Sequence, residues 1–172
     1  MTDFTVDGSV VENLGDVVGG APRWLRFVAA FSEFDAPGVT TDTVTLYANP
    51  SSPIILIDAF FNLTVEFSGG TVATATLSIG KTGTVDALML AEDVFTGAVV
   101  GLKNDATTKG TDIRDDLDMG GGDTKLESPL LVPAGTAITM TLVTTIGDTD
   151  ELAAGSADVY ICVAEPLLTT IE

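Results

Sequence analysis

Apolar and polar side chains alternate along much of the chain with a period of two, the pattern of half-buried β-strands. In residues 55–67, Ile55, Ile57, Ala59, Phe61, Leu63, Val65 and Phe67 fall on one face, and Asp58, Asn62, Thr64 and Glu66 on the other. That run exceeds an ordinary strand, which predicts a bend or bulge within it. Gly69-Gly70 then reads as a hairpin turn, with a return strand from Thr71 to Lys81 that turns Ala73, Ala75, Leu77 and Ile79 inward. Val44 and Leu46, then Ile138, Met140 and Leu142, then Val159, Ile161 and Val163 repeat the alternation, and Arg23–Phe34 is a further strand candidate. Thr and Val, stiff at their first side-chain torsion, make up about a quarter of the chain and suit a pleated surface.

Helix is scarce. Asp86–Asp93 reads as two helical turns, with Asp86 as N-cap and Leu90 facing the core. Residues 97–124 lose the alternation and form an excursion rich in Gly, Asp, Lys and Thr. Pro133-Ala134-Gly135-Thr136 marks a turn, and Pro166 ends the last strand. The expectation is an all-β protein, an antiparallel β-sandwich or jelly roll of about eight strands with one short helix. Its domain spans 23–166, with an N-terminal arm at 1–22 and a C-terminal tail at 167–172.

Composition narrows the function. Against 25 acidic residues stand 7 basic ones and no histidine, for a formal net charge of −18 over 172 residues. Such charge accompanies disorder in polar chains, but 45% hydrophobic residues can fill a core, so the acids belong outside it. Seven scattered cations cannot neutralise a nucleic-acid backbone, which argues against that partner. Without histidine there is no Ser-His-Asp triad, and most transition-metal sites are excluded. No apolar run is long enough for a membrane helix, and Met1-Thr2-Asp3-Phe4 lacks the basic start of a signal peptide. The lone Cys162 lies in an apolar run and reads as a small buried hydrophobe in a protein made in a reducing cytoplasm. Seventeen of the acids are Asp, which suits either a high-salt setting or a surface made acidic for solubility.

Few residues nominate chemistry. Within the excursion and just beyond it, Asp116, Asp118 and Glu127 take positions 1, 3 and 12 of a calcium-loop template, with Gly121 at position 6. Gly120 stands where the template wants Asp or Asn, and neither flank is helical, so a solvated acidic loop is the competing reading; no other cofactor is indicated. Asp58 and Glu66 share a strand face but would lie about 26 Å apart when extended, too far to flank a glycosidic bond. Ser51-Ser52 and Gly80-Lys81-Thr82-Gly83 read as turn residues, and no motif indicates an enzyme. Trp24 and most of the phenylalanines fall on strand patterns and suit core packing. In the arm, Phe4, Val6, Val10 and Val11 are apolar residues that need a cover, and a neighbouring subunit could provide it.

The order of pieces resembles small β-sandwich or jelly-roll virion proteins of tailed viruses: capsid-decoration, cement or head-fibre-base subunits. The pieces are Asp58-Ala59-Phe60-Phe61 before Gly69-Gly70, Leu77-Ser78-Ile79-Gly80, Asp86-Ala87-Leu88-Met89, Pro133-Ala134-Gly135-Thr136, and Ala154-Gly155-Ser156 before Val159-Tyr160-Ile161-Cys162-Val163. The likeness covers about residues 54–166. It implies a homo-oligomer, trimeric by preference, seated on a viral major capsid protein at the capsid surface after synthesis in the host cytoplasm. A jelly-roll major capsid, connector or tail subunit is a near variant. A carbohydrate- or receptor-binding β-sandwich module is the alternative from another class. The length of the 97–124 excursion and the acid excess both depart from the family's pattern.

Overall fold

The computed structural model describes residues 4–6, 9–13, 22–48, 53–103 and 130–164. They form eleven strands: β1 (Phe4–Val6), β2 (Ser9–Asn13), β3 (Arg23–Ala30), β4 (Thr41–Tyr47), β5 (Ile54–Ser68), β6 (Thr74–Lys81), β7 (Thr84–Asp93), β8 (Gly101–Lys103), β9 (Leu130–Val132), β10 (Ile138–Thr145) and β11 (Ala154–Ala164). Two short 3-10 turns, Phe31–Glu33 and Thr149–Glu151, complete the regular structure. Seven strands make a large sheet in the order β1-β2-β3-β11-β5-β8, with β9 also on β5; four make a small sheet, β4-β10-β6-β7. Every strand pairing is antiparallel. The fold is an all-β sandwich, as its alternation requires: each sheet must bury one face, and two sheets bury each other's.

Between the sheets lie Leu25 and Phe27 from β3, Leu56, Phe61 and Leu63 from β5, and Val159, Ile161 and Val163 from β11. Leu77 and Ile79 from β6, and Ile138, Met140 and Leu142 from β10, face them. Each such side chain contributes about 1.5–3 kcal/mol relative to an exposed one. The sheets are joined at one corner by Phe67, whose N–H donates to Val94 O at 2.8 Å while the Val94 N–H donates to Ala75 O at 3.0 Å. The Phe67 ring lies edge-on to Phe34, with centroids 6.3 Å apart.

Several expectations are corrected. First, the bulging expected within β5 is present, and it breaks the single apolar face that the alternation assigned to Ile55, Ile57 and Val65. Residues Ile55–Ser68 oppose only Ala154–Ala164 of β11, and the register slips at three points. The resulting bulges shift the inward phase from Leu56 to Ala59 and from Leu63 to Phe67. Ile57 and Val65 consequently point away from the core, exposed by 38% and 49%, and Ile55 is half-buried. Second, Gly69-Gly70 is not a hairpin turn, because β5 and β6 belong to different sheets. The glycines carry the chain between sheets, and both have positive φ. A Cβ on Gly70 would lie 2.8 Å from Glu151 O, so close packing against that segment demands glycine.

Third, the helix predicted over Asp86–Asp93 is part of β7. Its backbone pairs with β6, at Lys81↔Thr84, Ile79↔Met89 and Leu77↔Glu92. Between the first two pairs β6 advances two residues and β7 five, so Val85–Leu88 form a bulge. That bulge lays the Val85 backbone over Gly80, where any Cβ would collide with it, and Ser78 Oγ donates to Val85 O at 3.0 Å. The bulge also explains why Ala87, Leu88 and Met89 are buried consecutively while Leu90 is only half-buried, a burial that local periodicity reads as helical. Ala73, expected inward, is exposed ahead of β6, and Val72 is buried in its stead.

Candidate interaction surface

The outer face of the large sheet carries side chains that the alternation of β3, β11 and β5 turns away from the core. Antiparallel register sets Trp24 beside Cys162 and Asp58, Arg26 beside Tyr160 and Phe60, and Val28 beside Asp158 and Asn62. Partners directly opposite one another share a face, so these nine positions form one patch. Trp24 meets Phe60 edge-on, with centroids 5.3 Å apart and planes at 61°. Phe60 stacks on Tyr160 at 5.0 Å and 23°. Each such pair adds about 0.5–1.5 kcal/mol beyond the area it buries. The cluster corrects the expectation that Trp24 packs in the core: Trp24, Phe60 and Tyr160 are all half-buried on the outside.

Beside the rings, Arg26 Nη2 donates to Asp158 Oδ1 at 2.9 Å, a partly buried ion pair linking neighbouring strands. Cys162 is 4% exposed, and burial, with a smaller contribution from the Asp58 charge, pushes its thiol pKa up. Such a thiol is neither a nucleophile nor a ready ligand at neutral pH. The patch continues toward the sheet edge through Leu102, which pairs with Asn62 and is 62% exposed. Aromatic rings, aliphatic side chains and one closed ion pair suit contact with another surface; they do not constitute a reaction centre.

The predicted site residues fare differently. Asp116, Asp118, Gly121 and Glu127 lie outside the described residues. Among those described, no three His, Cys, Asp or Glu side chains are grouped to hold a metal ion. Phe4, Val6, Val10 and Val11 fall on β1 and β2, where Phe4 is opposite Val11, Val10 opposite Thr5 and Val6 opposite Ser9. This hairpin, read from sequence as an arm, adjoins the large sheet through Glu12↔Arg26 and Asn13↔Leu25. Asp58 accepts the N–H of its neighbour Ala59 at 2.8 Å and Glu66 the N–H of the distant Gly97 at 3.1 Å, so each carboxylate serves a backbone donor. The aromatic cluster was missed although a signal existed: Phe60 and Tyr160 occupy the polar phase of their strands.

No protein-family model and no curated protein matches the chain. Among solved structures, it resembles a chain of the cyanophage Pam1 capsid asymmetric unit, with a TM-score of 0.50 and 16% identity. The superposition covers 88% of this chain and 90% of that one. At that identity the likeness establishes a shared all-β architecture.

Proposed function

We propose that this chain is a structural virion protein, a capsid-decoration or cement subunit that stabilises the viral head by protein–protein contacts. The observation that carries the reading is the architecture shared along nearly the whole of both chains with a cyanophage capsid component. The mechanism is adhesive: subunits bury apolar surface against one another and against the major capsid protein, and no bond is made or broken. The outer aromatic face and the β1–β2 hairpin, with Phe4, Val6, Val10 and Val11, supply surface for those contacts, in a trimer by preference. The test is the virion itself. Purified particles should contain the chain at the capsid surface, and heads lacking it should lose integrity at lower temperature. Its absence from purified particles overturns the reading, and its position by electron microscopy separates decoration from major capsid, connector or tail. Trp24, Phe60 and Tyr160 favour a second reading, a glycan- or receptor-binding module, which a glycan-array screen of wild type against Trp24→Ala tests.

A further inference from the structure

The turn after β10 holds the most unusual residue of the described chain. Ile146 has φ of 59°, the one non-glycine residue there with positive φ, and its side chain is 78% exposed. A β-branched residue in the left-handed region is strained, and an exposed isoleucine gains nothing from burial to offset that strain. The adjacent glycine cannot relieve it. Gly147 packs so closely against the next segment that a Cβ there would lie 2.7 Å from Val72 N, so its small size serves the packing. The flanks are pinned as well. Thr144 Oγ1 donates to Gly147 O at 2.6 Å, the Thr144 N–H to Thr40 O at 2.8 Å, and the Thr149 N–H to Val39 O at 2.8 Å. Glu151 Oε2 accepts from the Thr71 hydroxyl at 2.7 Å and from the Thr71 N–H at 3.0 Å. A rigid turn thus presents one apolar side chain to solvent.

The charge around it defines what it can meet. The segments gathered at this end of the sandwich, 31–40, 69–73 and 146–153, hold Glu33, Asp35, Asp148, Asp150 and Glu151 and no lysine or arginine. A second copy of the same end would bring acid against acid. We infer that Ile146 is a docking knob that inserts into an apolar pocket rimmed by Lys or Arg on a partner protein. The pre-set turn spares the ordering cost of binding, the buried isoleucine supplies an anchor, and the acids steer the encounter. This rests on the proposed virion role and identifies the partner as the capsid lattice.

The experiment uses heads purified without the chain and measures binding of wild type, Ile146→Asn and Asp148→Asn/Asp150→Asn across NaCl concentrations. Asn tolerates positive φ, so Ile146→Asn should melt at or above the wild-type temperature while binding at least tenfold more weakly. The double Asp variant should bind more weakly at low salt, with a shallower salt dependence. A photoreactive amino acid at position 146 should cross-link to the major capsid protein. Wild-type chain that fails to bind heads overturns the virion role and the knob with it. Wild-type binding that Ile146→Asn matches, or that yields no cross-link from position 146, overturns the knob alone.

Discussion

The ring of Phe67 fills the space that a side chain at residue 155 would need: a Cβ built on Gly155 would overlap Phe67 Cγ and Cδ1. Gly155 also has φ of 141°, which side chains rarely adopt. Gly155→Ala therefore forces the ring from the corner where both sheets meet and should cost at least ~2 kcal/mol. Chemical denaturation checks this; an unchanged midpoint would show that the corner can repack.

Glu151 should make stability depend on acid. Hydrogen bonds from the Thr71 side chain and backbone hold its carboxyl below the ordinary value of 4.5. The native state thus prefers the ionised form. Its contribution is present above the unfolded pKa and is lost as pH falls through the folded one. Wild type should lose melting temperature faster than Glu151→Gln below about pH 4.5, the ordinary carboxylate range. Parallel curves would contradict the linkage.

Cys162 gives the opposite sign. Its pKa is raised in the fold, so the contribution is intact below the unfolded value and declines as pH climbs through the folded one. Stability should fall above about pH 8.5 in wild type but less in Cys162→Ala. A thiol reagent at neutral pH should label the folded protein only as fast as it opens. Immediate labelling would refute the buried placement.

Salt should strengthen the fold. A net charge of −18 repels itself, and 1 M salt shortens the Debye length to about 3 Å. The melting temperature should climb steadily from dilute buffer to 1 M NaCl. A flat response would mean the acids are spaced widely enough not to repel.

If Asp116, Asp118 and Glu127 belong to a solvated acidic loop, the reading that competes with the calcium loop, calcium should leave the melting temperature unchanged, since such a loop needs no ion. A midpoint that drops when chelator is added would restore the calcium-loop reading.

The alternation alone determined a good part of this molecule. In β10 and β11, Ile138, Met140, Leu142, Val159, Ile161 and Val163 face the core as the period of two demands, although Thr139, Thr141 and Cys162 on the opposite phase are buried as well, which the alternation does not show. Of Gly80-Lys81-Thr82-Gly83, read as turn residues, Thr82 and Gly83 form the tight turn that Lys81 and Thr84 close, while Gly80 and Lys81 end β6. What tertiary structure decided depends on partners distant in the chain. The length of β5 already called for a bulge, but its register with β11, roughly a hundred residues later, fixes where the bulges fall and turns Ile57 and Val65 outward. The backbone of residues 84–93 became strand because β6 offers its open edge and Gly80 leaves room for the bulge. Trp24, Phe60 and Tyr160 become one aromatic patch only when three strands lie side by side. Ile146 is set in its strained turn by threonines and a glutamate from separate loops. Periodicity records which face a residue occupies; only the assembled sheets determine which residues meet there.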